Sequence, residues 1–277
     1  MDITIPTTTP VPLAEDTWLI PNLAPAGPDA FIPANSMLIR GEEPVIVDTG
    51  ALAHREHWLE QVFGLVDPAD VRWVFLSHDD GDHLGNLHEV LELCPAATLV
   101  ANFFTHARVA LEDPVPLPLD RMIWREPGAV LDVGDRRLRL FLPPIFDGPT
   151  TRGVLDERTG VLWAVDSFAA ATPGAVHAVD DLPPAMYDET FALFNSLVSP
   201  WHQWLDPEVY RRHADDVQAL APRVVASAHG PVLTGPAIDD AFDRVRAMAG
   251  APIVAPPGQP ALDEILASLV AVAEPVG

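Results

Sequence analysis

The chain has 277 residues, 48% of them hydrophobic, and 40 acidic side chains against 16 basic ones give a formal net charge of −24. Such a composition can bury a sizeable core and excludes global disorder. Its acidic field repels phosphate backbones and anionic lipid, which excludes nucleic acid and membrane surfaces as partners and leaves a metal cation or a basic protein. One cysteine, Cys94, rules out an internal disulfide and reads as a buried core thiol. No apolar window approaches the ~18 residues of a membrane span. The N-terminus has neither the basic region nor the apolar stretch of a signal peptide, so a soluble, cytoplasmic protein is expected.

In chain order, "TWLIPN", "SMLIRG" and "PVIVDTG" read as strands punctuated by Pro and Gly. A helix over "HREHWLEQVFGL" precedes the apolar strand "VRWVFLSH". Next come a helix near "NLHEVLELC", a strand "TLVAN" and a helix around "FFTHARVALE". Beyond a Pro-rich loop, "RRLRLFLPP" and "GVLWAVDSF" read as strands. The segments "YDETFALFNSLVSPWHQW" and "DPEVYRRHADDVQALA" read as helices, and the strand "RVVASAHG" leads to the helix "PAIDDAFDRVRAMA". Strands and helices alternate in both halves, which predicts sheets with helices packed outside them. Residues 1–250 form the expected domain. Residues 251–277 read as a Pro-rich linker, "APIVAPPGQP", and a C-terminal amphipathic helix, "ALDEILASLVAVA". That helix docks on its own domain or on another subunit, a homodimer being one arrangement it allows.

The chemistry concentrates in "VFLSHDDGDHLGNL", residues 74–87. A strand end fixes position and the following loop frees side-chain direction, so metal ligands favour that junction. His78 ends the strand, with Asp80, Asp82 and His83 following at two, four and five residues. Residues two apart in an extended loop point the same way, so His78 and Asp80 can share one metal while Asp82 and His83 serve a second. Asp79 points away and is expected in solvent. The competing reading, an exposed polar turn capping the next helix, suits two such residues better than four.

"SHDDGDHLGNL" resembles the H-x-H-x-D-H signature of the metallo-β-lactamase fold, and more closely the H-x-E-x-D-H motif of the oxygen-binding di-iron domain of flavodiiron proteins. The resemblance runs from about residue 35 to about 232. "NSMLIRGEEPVIVDTG" is similar to the family's opening strand pair, with Asp48 placed to support a ligand from behind. "GVLWAVDSF" resembles the strand that ends in the bridging carboxylate, which makes Asp166 the bridge, and "SAHGPVL" resembles the last ligand strand, with His229 as ligand. It implies an α/β fold, the four-layer αββα sandwich, and two metal ions. One takes His78 and Asp80, the other Asp82, His83 and His229. Two departures stand out. Asp80 replaces the motif's His or Glu, and "PIFDGPT" puts Asp147 where the family's middle histidine falls. Asp147 either replaces that ligand or only caps its own turn.

Carboxylates and imidazoles without thiolate favour iron, with zinc or manganese as alternatives. The resemblance therefore implies a di-iron protein that binds or reduces O2 or NO. No flavin-binding loop is visible in this sequence, so electrons are expected from a separate flavoprotein or rubredoxin-like donor. The alternatives are a di-zinc hydrolase of an ester, lactone or phosphodiester and a gas sensor without turnover. Tyr187 falls in the part of the family that approaches the metals, which makes it the candidate to hydrogen-bond a bound ligand. Among the other histidines, His54, His57 and His88 read as surface or capping groups, His177 as a residue of the pocket mouth, and His202 as core packing.

Overall fold

The computed structural model describes residues 5–27 and 30–273, with side chains up to residue 267. Strands β1 (Val11–Ala14) and β2 (Thr17–Ile20) form a hairpin. β3 (Leu23–Gly27) and β4 (Ala30–Pro33) pair apart from the main sheets. Proline lacks an N–H, and in a two-stranded ribbon each strand keeps an open edge that tolerates Pro25 and Pro33. β5 (Ser36–Ile39), β6 (Val45–Val47), helix α1 (Arg55–Phe63) and β7 (Trp73–Phe75) follow. Then come α2 (Gly81–Leu84), α3 (Leu87–Leu93), β8 (Thr98–Ala101), α4 (Phe103–Glu112) and β9 (Met122–Trp124). The second half runs β10 (Val130–Asp132), β11 (Arg137–Phe141), β12 (Gly153–Asp156), β13 (Val161–Trp163), α5 (Pro184–Val198) and α6 (Pro207–Gln218). β14 (Val224–Ala226), β15 (Leu233–Thr234), α7 (Pro236–Ala247) and α8 (Gln259–Ala273) complete it.

A seven-stranded sheet in the order β1-β2-β5-β6-β7-β8-β9 and a six-stranded sheet in the order β10 to β15 carry the core. Side chains alternate across each strand, and the alternation builds the layers. Val45, Val47 and Phe75 meet Leu138, Leu140 and Trp163 between the sheets. Ile46, Val74 and Leu99 face the other way, onto Trp58 and Val62 of α1 and Val90 of α3. On the far side Leu155, Leu162 and Val225 pack under Phe191, Tyr210 and Phe242. Each such large side chain, fully buried, contributes roughly 1.5–3 kcal/mol of burial. The result is the expected four-layer αββα sandwich.

Parallel pairing links β6 to β7 in the first sheet and β13 to β14 in the second. The segments that bear Asp48, His78, Asp166 and His229 all leave the C-terminal ends of these four strands. Open α/β sheets place their ligand sites at such strand ends.

Several expected elements are shorter. "VRWVFLSH" is a strand only through Phe75, and "GVLWAVDSF" only through Trp163. The long helix expected to run to Trp204 ends at Val198, and Pro200 opens a separate 3-10 turn. In the tail, residues 252–258 are exposed and precede α8. Among the described residues no helix is long and apolar enough to cross a membrane.

Candidate metal centre

Two groups of ligand side chains converge at this end of the sandwich. In the first, His229 Nε2 lies 3.1 Å from Asp82 Oδ2, and the nearby His83 is fully buried. In the second, His78 Nε2 lies 3.1 Å from Asp147 Oδ2 and 3.4 Å from Asp80 Oδ1. Asp166 stands between the groups. Its Oδ1 is 3.0 Å from His83 Nε2 and 3.3 Å from His229 Nε2, and the carboxylate also clusters with His78 and Asp147. The structure thus brings His78, Asp80, Asp82, His83, Asp147, Asp166 and His229 to one end of the sandwich, with Asp79 also beside His78 and Asp80. Asp80 sits at the N-cap of α2 but makes no side-chain capping bond, so its carboxylate is free to face His78.

Backbone geometry holds the loops in place. Asp48 (φ +60°), Val165 (φ +56°) and Phe168 (φ +65°) occupy left-handed backbone conformations. For a β-branched residue such as Val165 that conformation is costly and persists only where surrounding contacts over-determine it. Asn195 of α5 supplies some of them, accepting from Phe168 N–H and donating to Ala169 O. Gly230, next to His229, allows the two ligand loops to touch, because a Cβ there would sit 2.3 Å from Phe168 O.

Outer partners set the tautomer of each histidine. His83 Nδ1 is 3.0 Å from the Asp48 carboxylate, which can only accept, so Nδ1 carries a proton and Nε2 is the nitrogen left to bind a metal. Asp48 is itself fully buried and also receives bonds from the Ser77 N–H and hydroxyl and from the Trp163 indole N–H. His229 Nδ1 lies 2.8 Å from Pro33 O, a carbonyl, with the same consequence. His78 Nδ1 faces the hydroxyls of Thr150 and Thr151, each at 3.1 Å. Both hydroxyls spend their protons on carboxylates, Thr150 on Asp79 and Thr151 on Asp147, so both accept from His78 Nδ1. His78 Nε2 is then buried with no hydrogen bond, facing two carboxylates. All three imidazoles turn Nε2 toward acidic oxygens.

Without a metal, proton charge on the imidazoles has to balance these carboxylates. Burial disfavours a charged His78, yet Asp147 and Asp80 beside it raise it to about 10. Burial likewise opposes charge on His229, and Asp166 and Asp82 raise it to about 10. His83 is held well above its ordinary value, because Asp166 and Asp48 outweigh its complete burial. Burial would raise Asp82 and Asp166, but the histidines hold both below the usual carboxylate range. Once the imidazoles bind as neutral ligands, the four carboxylates need other positive charge, the buried Asp166 most of all. Two divalent cations supply what Asp80, Asp82, Asp147 and Asp166 require. The buried His78 Nε2 and the thiolate-free donor set therefore fit a pair of metal ions.

Asp79 corrects the sequence reading. Expected in solvent, its side chain is 1% exposed, and it accepts from Arg108 of α4 at 3.1 Å and from Thr150 at 2.8 Å. Its partners lie far along the chain, so spacing within the loop carried no sign of them; nor did it mark Thr150, Thr151 or Pro33. Tyr187 is not brought into the cluster. It packs in the outer helix layer against Phe191, beneath the Arg244 guanidinium, and its buried hydroxyl has no hydrogen-bond partner. His54 and His57 line a cleft of about 640 Å³ together with Leu52, and His177 lines one of about 590 Å³ beside Val176 and Val232. His88 is half-buried and pairs with Asp113. Cys94 is buried in the core, as expected, and burial pushes its thiol up to about 11.

Compared with known protein families, residues 32–230 match the ODP family beta lactamase model, a span from β4 to the loop that bears His229. The chain belongs to that family. A putative diflavin flavoprotein A 1 from Nostoc sp. (strain PCC 7120) is 31% identical over 206 residues, covering 72% of this chain and 33% of that protein. The crystal structure of the flavodiiron protein from Giardia intestinalis superposes with a TM-score of 0.73 at 15% identity, over 87% of this chain and 59% of that one. The rubredoxin oxygen:oxidoreductase of the anaerobe Desulfovibrio gigas gives 0.69 at 14% identity, over 87% and 61%. The chain thus spans about a third of the diflavin relative's length.

Proposed function

We propose that this chain is a non-haem di-iron core that binds and reduces O2 or NO with electrons from a separate flavoprotein or rubredoxin-like donor. The observation that carries the reading is Asp166, a buried carboxylate shared by two ligand groups whose histidines all turn Nε2 toward acidic oxygens. By this reading His78, Asp80 and Asp147 would hold one iron and Asp82, His83 and His229 the other, with Asp166 in reach of both groups. Bound there, iron would supply a binding position for a diatomic gas and one-electron redox chemistry. The relatives support the assignment through their names, among them a flavodiiron protein and a rubredoxin oxygen:oxidoreductase.

The rest is the work of the chain itself. Asp48, Pro33 and the paired threonines hold a proton on each Nδ1, so Nε2 is the nitrogen that faces the cluster and gives up its proton when a metal binds. His78, His83 and Asp166 form the buried floor of the site, each at most 5% exposed, which excludes water from behind. Asp80 is 51% exposed, Asp82 34% and Asp147 29%, so these carboxylates rim the open side. A small ligand enters there, and protons for reduction arrive over the same acidic rim.

The test is elemental analysis of protein from cells supplied with iron and zinc, together with its visible spectrum and its anaerobic titration with O2 or NO in the presence of a reductant. Two irons per chain, a band that bleaches on reduction, and gas consumption are expected. Two zincs, no colour and turnover of a chromogenic ester would replace the reading with a hydrolase. Spectral change without consumption would replace it with a sensor.

A further inference from the structure

Asp147 sits on a loop without regular structure. Residues 142–152 join β11 to β12 with no strand or helix between them, and they include Pro143, Pro144, Gly148 and Pro149. The carboxylate faces two ways. Its Oδ1 accepts from the Thr151 hydroxyl at 3.2 Å, inside the turn, and its Oδ2 lies 3.1 Å from His78 Nε2, inside the centre. Only the second contact makes it a ligand, so the loop has to be held against the centre from both sides. On the C-terminal side the Arg152 N–H donates to Ser77 O at 2.7 Å, next to His78. On the N-terminal side the anchor is a single hydroxyl. Ser167 Oγ donates to Ile145 O at 2.7 Å and accepts from the Ile145 N–H at 3.1 Å.

Ser167 is fully buried and directly follows Asp166; Ile145 is fully buried and precedes Asp147 by two residues. Water does not reach Ile145, so both of its backbone groups depend on that hydroxyl. A hydroxyl can serve both, because it has one proton to give and lone pairs to receive. Two residues of chain span at most ~7 Å, so fixing Ile145 leaves Asp147 a narrow range. From this link we propose that Ser167 is a positioning residue, whose hydroxyl sets Asp147 against Asp166 and makes Asp147 a metal ligand rather than the cap of its own turn. The inference rests on the dinuclear reading above and adds to it the side chain that fixes the spacing of two of its carboxylates.

The experiment loads the metal-free full chain anaerobically with excess ferrous sulfate and then titrates it with a chelator, counting the iron retained per chain. Wild type, Ser167→Ala, Ser167→Thr, Asp147→Ala and the double alanine variant are compared, and the melting temperature of each metal-free chain is recorded alongside. Ser167→Ala should hold one of two irons about tenfold more weakly, at the low end of the range for groups that orient ligands from behind. Ser167→Thr keeps the hydroxyl and should hold both irons as wild type does. Asp147→Ala should weaken the same iron, and adding Ser167→Ala should weaken it no further, because a residue that acts through Asp147 then has nothing left to position. A merely structural role would instead lower the melting temperature and weaken iron binding by the same factor in both backgrounds, so losses that multiply in the double variant would overturn the proposal. Wild-type retention in Ser167→Ala or in Asp147→Ala would overturn it too. A wild-type chain that binds fewer than two irons would overturn the dinuclear reading itself.

Discussion

Asp48→Asn isolates the support behind one metal ligand. Four donors converge on this fully buried carboxylate: Ser77 N–H and hydroxyl, the Trp163 indole at 3.1 Å and His83 Nδ1 at 3.0 Å. An amide offers one acceptor oxygen and one NH2, so at least one donor must face another donor. If the oxygen takes the place of Oδ2, the Ser77 N–H is orphaned; if the amide turns over, His83 is driven to the other tautomer and loses Nε2 as the nitrogen left to bind a metal. Either way a buried orphan costs about 1–3 kcal/mol. The loss of a charged acceptor behind His83 should weaken metal binding by about 10–100-fold. Backbone strain does not confound the test, because Asn tolerates the left-handed conformation that residue 48 adopts at φ +60°. Chelator competition gives the affinity, thermal melting the stability, and 15N chemical shifts of His83 its tautomer. A folded Asp48→Asn chain with wild-type affinity at both positions would refute the claim that the Asp48 charge supports the ligand.

Asp166→Ala removes the one side chain shared by both ligand groups, and elemental analysis should show less than one metal per chain; two retained metals would show that it does not bridge. Gly230→Ala places a Cβ 2.3 Å from a backbone oxygen of the opposite ligand loop, so a stability loss of about 1–3 kcal/mol and reduced occupancy at His229 are expected in denaturant titration and metal analysis. In the metal-free chain His78 and His229 are raised to about 10. Their contribution to stability is complete below the ordinary histidine value near 6.5 and lost as pH rises through about 10. The melting temperature of the metal-free chain should therefore fall over that window, and metal loading at pH 7 should release protons to a weakly buffered indicator dye. Arg136→Ala strands the buried Asp156 carboxylate 2.9 Å away, far from the centre, and should cost about 3–5 kcal/mol without changing metal stoichiometry.

The legible part of this molecule was the part written locally. Short apolar runs bounded by Pro or Gly, such as "PVIVDTG" and "RVVASAHG", revealed strands, because a strand buried on both faces is apolar throughout. The ordered ligand motifs marked the loops that follow the strands, although β7 and β13 end at Phe75 and Trp163, short of His78 and Asp166. What stayed hidden carries no such mark. β3 and β4 each contain a proline, which reads as loop until the ribbon's open edges are seen. β12 holds only two apolar residues between Gly153 and Asp156, too short a run to read as a strand. Val165 and Phe168 sit in left-handed conformations that neither side chain advertises, so the strand expected to reach Asp166 stops at Trp163 and a constrained loop presents the carboxylate instead.

Asp79 shows why the remainder could not be read from spacing. Within "HDDGDH" it is one acid among three, and only the fold reveals that Arg108, from a helix 29 residues later, neutralises it. Thr150, from a loop 71 residues later, relays that anchoring to His78. The three acids of the loop thus divide into one that holds a histidine proton in place and two that face the cluster. The division follows from side-chain direction: Asp79 lies on the Nδ1 side of His78 at 3.8 Å, and Asp80 on the Nε2 side at 3.4 Å. Removing the relay hydroxyl should therefore act through the tautomer rather than through lost charge. Thr150→Val should lower occupancy at the His78 position while Thr150→Ser preserves it, because serine retains the hydroxyl and loses only the methyl. Equal occupancy in wild type, Thr150→Val and Thr150→Ser would mean that Thr151 alone orders the imidazole and that the burial of Asp79 serves Arg108, not the metal.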